Sequence, residues 1–392
     1  MNGILSKANI TTQGENRQKT IIIKSVLIII LLIPIPIYFL VVNLIYLQAP
    51  VENQPWVSWF DDPHQRVYVS WETEEDTIGV IYYGTDYNNL SLEITEVSAK
   101  RIHHVILEKL TANTKYYYEI NIGGEIFGEG EFKTAPLSIV PFKWVMISDT
   151  QRMLGSGHHW RTAKALKGKN YSFIANIGDL VESGNWKEEF HSFFHIASSY
   201  LKKIPIVPVI GNHDSYGTSL FQDYFINGMN NPHDLFYYSF NWSSVHFQIC
   251  HFPYGTESEI ELQVDWIRND LENSLILPFR IVMFHVPIIG GGFYGYNENL
   301  DTHILPILKE YNVTAVIHGH EHHYERGLMG DTMYMILGGG GGTLDPGLRP
   351  GENTECFAVT PSYTEVYADS STLNLKTFTL TGELIDDYTL YI

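Results

Sequence analysis

The sequence predicts an α/β fold of mixed sheets flanked by helices, preceded by an all-β sandwich and by one N-terminal transmembrane helix. Three observations carry this. Short, apolar, β-branched runs alternate with helix-length segments through the second half of the chain, and each run ends in a polar cluster. Upstream, from about Gln54 to Pro136, short alternating segments are punctuated by turn residues. Ahead of those, Ser25 to Leu47 contains no charged residue and is apolar almost throughout.

In chain order, residues 1–24 form a short N-terminus carrying Arg17, Lys19 and Lys24. The run 25–47 is long enough to cross a ~30 Å hydrocarbon core as a helix, and Pro34 and Pro36 are expected to kink it. Glu52, Asp61 and Asp62 follow, so the positive-inside rule places residues 1–24 in the cytoplasm and the rest outside. The expectation is a single-pass signal anchor with an extracytoplasmic body. The alternative is a signal peptide cleaved near Gln48-Ala49-Pro50, which also exports the body.

Residues 51–136 read as the sandwich, with Arg66–Thr73, Val80–Gly84, His104–Leu107 and Leu110–Tyr118 as its short alternating segments. Thr134-Ala135-Pro136 to Pro141 is the expected linker, and residues 140–392 hold the α/β part. There the strands are Trp144–Ser148, Phe173–Ile177, Ile206–Ile210, Ile281–Phe284 and Thr314–Ile317. Helices are expected at Trp186–Lys203, Ile260–Asn273 and His303–Tyr311, and closing antiparallel strands from Tyr363 onward. His191 and His195, four apart, are assigned to the surface of the first helix, and His158 or His159 is considered for the pocket. Cys250 and Cys356 are too few for a disulfide framework, and spacing does not say whether they pair.

The polar clusters are Asp149-Thr150-Gln151, Gly178-Asp179, Gly211-Asn212-His213-Asp214, His285 and Gly319-His320-Glu321-His322. Strand C-termini are where ligands gather in α/β sheets. Hard oxygen donors mixed with imidazoles and almost no thiol suit Zn, Fe or Mn. One carboxylate is able to bridge two such ions roughly 3.5–4 Å apart, an arrangement suited to polarising a phosphoryl oxygen. Residues two apart on an extended segment share a side, which suits His320 and His322.

These residues resemble the calcineurin-like metallophosphoesterases and, within them, the purple acid phosphatases. Gly319-His320-Glu321-His322-His323-Tyr324-Glu325-Arg326 is similar to the family's Gly-His-x-His-x-Tyr-Glu-Arg signature. Val282 to Pro287 resembles its Val-x-x-His segment, Gly211 to Asp214 its Gly-Asn-His-Asp/Glu motif, and Gly178-Asp179 the start of its second Asp motif. The upstream sandwich is similar to the family's fibronectin type III-like domain, and Gly338–Gly342 to the glycine-rich segment after its His-x-His. The resemblance implies two metal ions. Asp179 would bridge them, Asn212, His285 and His320 would complete one, and Asp149 and His322 would hold the other. His213 would protonate or stabilise the leaving group, with Asp214 as its orienting partner.

Two positions depart from the purple pattern. Glu182 stands where the family has the tyrosine whose phenolate colours ferric iron, and Gln151 where the wider superfamily commonly has a histidine. Both are carried as candidate ligands, and the exchange predicts a colourless protein working with divalent ions.

The expected function is hydrolysis of a small phosphate monoester by in-line attack of hydroxide on phosphorus. A phosphodiesterase or nucleotidase with the same metals, and a catalytically weak surface binding protein, remain open. The net charge of −19 and the lack of a Lys/Arg cluster argue against nucleic acid as a partner. The loop Gly290–Tyr296 is the expected pocket wall. Oligomeric state is not readable.

Overall fold

The computed structural model describes residues 53–392 except 152–158, 217, 226–235 and 346–347. The 25–47 run and His158 lie outside them, and among the described residues no helix is long and apolar enough to cross a membrane. Seven strands come first: β1 (Asn53–Ser58), β2 (Val67–Thr77), β3 (Gly79–Gly84), β4 (Leu92–Thr95), β5 (Lys100–Leu107), β6 (Lys115–Ile122) and β7 (Glu125–Lys133). Sheets β1-β2-β5 and β4-β3-β6-β7 bury Val69, Trp71, Ile81, Val105, Tyr118 and Phe132 between them. Alternation produces this sandwich: along β6, Tyr116, Tyr118 and Ile120 point inward and the residues between them are more exposed.

The α/β part continues with β8 (Phe142–Ile147), α1 (His159–Leu166), β9 (Ile174–Asn176), α2 (Lys187–Leu201), β10 (Ile206–Pro208), α3 (Thr218–Tyr224), β11 (Tyr238–Trp242) and β12 (Val245–Ile249). Next come α4 (Glu257–Glu261), α5 (Val264–Asn273), β13 (Phe279–Met283), α6 (Glu298–His303), α7 (Leu305–Glu310) and β14 (Ala315–His318). Six strands close the chain: β15 (Tyr324–Met329), β16 (Thr332–Leu337), β17 (Thr354–Ala358), β18 (Ser362–Ala368), β19 (Thr372–Thr379) and β20 (Leu384–Tyr391). One sheet runs β20-β19-β18-β8-β9-β10-β1-β2-β5 and the other β11-β12-β13-β14-β16-β15-β17. Between them Trp144 stacks on Phe173 and meets Phe247 edge-on within an aromatic core. The helix expected over 260–273 is two pieces, α4 and α5, and the one over 303–311 begins earlier, with α6.

The sandwich is not merely appended. β1 pairs in parallel with β10, Ser58 opposite Ile206, so the sheet β1-β2-β5 extends the α/β sheet. Trp56 of β1 stacks on Phe194 of α2 at 4.1 Å, and Tyr118 Oη donates to the Lys202 carbonyl at 3.1 Å. The buried Glu72 carboxylate on β2 receives Lys187 Nζ at 2.6 Å, His191 Nε2 at 3.1 Å and Tyr224 Oη at 3.1 Å. A buried carboxylate is tolerable only with such partners. His191 is therefore buried at this joint rather than on the helix surface, while His195 is exposed. His159 packs on Phe193 and bonds Tyr200 Oη at 3.1 Å, away from the pocket. Both cysteines are free thiols.

Candidate metal centre

Parallel pairing of β8, β9 and β10 in one sheet, and of β13 and β14 in the other, brings five strand ends to one edge. Asp149, Asp179, Asn212, His285, and His320 with His322 follow these strands in turn. The loops are stitched together through backbone: Asp149 N donates to Gly178 O at 3.0 Å, Gln151 N to Asp179 O at 3.1 Å and Gly319 N to His285 O at 3.0 Å. Gly340 N and Gly342 N donate to the Ser148 and Asp149 carbonyls, so the glycine-rich segment packs against the site. Gly178 has φ +92°, and a Cβ there would strike the His285 ring.

Three of the candidate ligands occupy left-handed backbone: Asp149 at φ 56°, Asp179 at 52° and His320 at 72°. Such conformations cost about 1–3 kcal/mol each for non-glycine residues and cluster at functional sites. His320 thus corrects the extended segment inferred for His-x-His. Both histidines still meet Asp149: the His320 backbone N–H donates to both carboxylate oxygens, at 3.1 and 3.0 Å, and His322 Nε2 lies 3.4 Å from Oδ1.

Around Asp179, His285 Nε2 stands 3.2 Å from Oδ2 without hydrogen-bond geometry, Gln151 Nε2 donates to Oδ2 at 3.1 Å, and His213 N donates to Oδ1 at 2.9 Å. Ligand atoms of Asp179, His285 and His320 fall within 4.8 Å of one another, and Asn212 Oδ1 is 2.8 Å from His320 Nδ1. Gln151 Nε2 is 3.2 Å from His322 Nε2. All six principal candidates therefore meet at one place, with Gln151 among them.

The donor set fits metal ions on three counts. His285 Nδ1 donates to Ile177 O at 2.7 Å and His322 Nδ1 to Thr343 O at 2.6 Å, which turns each Nε2 inward as in metal-binding histidines. His285 Nε2, Gln151 Oε1 and Glu182 Oε2 are buried with no hydrogen-bond partner. The site also attracts positive charge. Burial alone would lower both histidines, but the carboxylate of Asp179 beside His285 and that of Asp149 beside His322 raise them to about 9 and about 10. Burial and the neighbouring His285 push His320 down to about 4, leaving a neutral lone pair.

His213 sits at the rim, a quarter exposed, with Nδ1 donating to the Glu182 carbonyl at 2.7 Å. Burial works against its charged form, but Asp179 and that carbonyl outweigh it and raise its pKa. Asp214 does not orient it. Fully buried, Asp214 accepts from Leu180 N at 2.9 Å, Val181 N at 3.2 Å and Gly211 N at 2.9 Å, clipping the Asp179 loop to the Asn212 loop, and burial lifts its carboxyl to about 7. Its assignment as a catalytic residue is corrected to a scaffold role. Glu182 is half-buried behind His213 with its carboxyl raised by burial, its Oε1 3.9 Å from His213 Nδ1. Sequence reasoning missed Asp345, whose carboxylate accepts from His322 N at 3.0 Å, and Tyr216 and Tyr254 beside Asn212. No motif marks any of the three.

Fold and candidate site together resemble those of metallophosphoesterases. Residues 142–324 match the family described as Calcineurin-like phosphoesterase, and residues 53–134 match Purple acid Phosphatase, N-terminal domain. Purple acid phosphatase 21 of Arabidopsis thaliana is 28% identical over 275 residues, covering 64% of this chain and 60% of that protein. Purple acid phosphatase 18 of the same plant is 26% identical over 301 residues, covering 71% and 67%. A purple acid phosphatase from yellow lupin (Lupinus luteus) seeds superposes with TM-score 0.72 at 17% identity, over 86% of this chain and 74% of the lupin chain. Residues 142–324 are thus a calcineurin-like phosphoesterase domain and residues 53–134 a purple acid phosphatase N-terminal domain, and the chain is similar to plant purple acid phosphatases over both. It spans about three fifths of the length of the first of these relatives.

Proposed function

We propose that this chain is a metal-dependent phosphoric ester hydrolase acting on small phosphate monoesters. The observation that carries this reading is the convergence of Asp149, Asp179, Asn212, His285, His320 and His322 on one strand-end edge, with inward nitrogens held by carbonyls. Asp179, Asn212, His285 and His320 would hold one ion, and Asp149, Asp179 and His322 the other, with Gln151 and Glu182 as further oxygen donors. Two Fe, Zn or Mn ions there supply charge neutralisation on the phosphoryl oxygens and activation of water. The chain's own residues do the rest. His213, its Nδ1 occupied by the Glu182 carbonyl, carries on Nε2 a proton to deliver to the departing oxygen. The Asp214 clip and the strained loops keep the donors preorganised, so little rearrangement accompanies reaction.

The proposal includes membrane anchoring through residues 25–47, with residues beyond Leu47 on the extracytoplasmic side. The uncharged apolar run, with basic residues before it and acidic ones after, supports this. N-terminal sequencing of the mature protein tests it, since a start near Val51 would remove the anchor.

Hydrolysis of p-nitrophenyl phosphate and of its bis-ester by purified protein loaded with Fe, Zn or Mn tests the activity. Faster turnover of the monoester is expected. A preference for the bis-ester would make the chain a phosphodiesterase, and no turnover with any of the metals would leave a binding protein.

A further inference from the structure

Beside Asn212 and His320 opens a cleft of about 350 Å³ whose walls are Tyr216, Tyr254, Tyr294 and Tyr296. Among the described residues no Lys, Arg, Asp or Glu lines it. The four rings are 47%, 45%, 62% and 56% exposed, a concentration of accessible aromatic surface that a packed protein does not need for its core.

Three of these rings are held in place. Tyr254 Oη accepts from Ser215 Oγ at 2.8 Å and donates to the Asn212 carbonyl at 3.3 Å, tying that wall to a candidate ligand. Tyr296 Oη donates to Asp301 at 2.8 Å. Tyr294 lies over the His320 ring at 4.5 Å, and its loop is clamped from behind: Tyr294 N and Phe293 N donate to the two oxygens of the Glu321 carboxylate, at 2.7 and 2.8 Å. Gly292 is required in that loop, because a Cβ there would collide with the same carboxylate. A preorganised aromatic cleft loses little conformational freedom when a flat ring enters it. Its neutral lining has no cation to pair with further phosphates, and the net charge of −19 adds repulsion at longer range.

We infer that this tyrosine cleft receives the alcohol portion of the substrate and selects phosphate esters bearing a planar aromatic ring over aliphatic and polyphosphorylated ones. The inference rests on the phosphoesterase reading for its metal-side geometry.

The test compares ligands matched in size and acidity on the metal-loaded full chain. Benzylphosphonate and cyclohexylmethylphosphonate, neither hydrolysable, are titrated by calorimetry, and the corresponding phosphate esters are assayed for turnover. About tenfold tighter binding of the benzyl compound is expected, with the preference shrinking to about twofold or less in Tyr294→Leu and Tyr254→Leu while Tyr294→Phe retains it. Inositol hexakisphosphate should compete poorly. Adenosine 5′-monophosphate binding more tightly than benzylphosphonate would identify a nucleobase as the ring, and weaker binding a simple aryl group. Equal affinity for the two phosphonates, or a preference untouched by both leucine substitutions, overturns the inference. Aromatic preference in binding without turnover of any ester would retain the cleft and reject the phosphoesterase reading.

Discussion

Glu321→Ala is the most informative single change, because Glu321 lies between two candidate ligands and supports the cleft only from behind, through the backbone of Phe293 and Tyr294. Its side chain is 1% exposed and accepts two backbone N–H groups, from Phe293 and Tyr294. Hydrogen bonds to a charged acceptor are worth ~1.5–3 kcal/mol each, and two part-buried bonds to backbone amides would be lost. Water entering the gap recovers part of this, so the net loss is about 2–4 kcal/mol, or roughly 5 °C in melting temperature for a unit of this size. The loosened 290–296 loop should raise KM for aryl phosphates about tenfold, as expected if lost positioning removes the stacking contribution. Metal content should be unchanged, since Asp149, His320 and His322 keep their own contacts. Steady-state kinetics, elemental analysis and limited proteolysis around residues 290–296 read out the three effects. An unchanged KM with an intact loop, or loss of metal in proportion to activity, would refute the reasoning by making Glu321 part of the metal shell.

Asp179→Ala should lower bound metal and activity together, because its carboxylate lies among His285, Gln151 and the His213 amide, and retention of both metals would contradict the bridging role. His213→Ala should keep the metals and slow turnover by ~10²–10⁴-fold for alkyl esters, and by less for nitrophenyl esters, which need no proton. Buried His251 uses Nδ1 to accept from Phe236 N at 2.9 Å, and burial lowers its pKa to about 4. The unfolded chain binds that proton near pH 6.5 and the folded chain only near 4. Stability should therefore fall as pH drops through this window, by up to ~3 kcal/mol from this group, and His251→Gln should flatten denaturation midpoints measured across it. With Glu182 in place of the phenolate-bearing tyrosine, the iron-loaded protein should show no strong visible band; an intense one would mean that another tyrosine has reached the ion.

Local sequence determined the strands and their chemistry. β-branched runs ending in Asp, Asn and His are readable because a buried strand must be apolar and its C-terminal loop is free to be polar, and β8, β9, β10, β13 and β14 all lie where those runs are. Alternation along β6 likewise exposes a sandwich face without any partner being known. Tertiary structure alone decided what depends on atoms distant in sequence. The fusion of the sandwich to the α/β sheet rests on Ser58 meeting Ile206 and on Glu72 gathering Lys187, His191 and Tyr224, contacts that no local pattern encodes. Asp214 follows His213 in a motif, yet its direction was set by three backbone amides whose position only the folded loops supply. The tyrosine cleft is similar: Tyr216, Tyr254 and Tyr294 come from three separate loops, and a wall exists only where the fold sets them side by side.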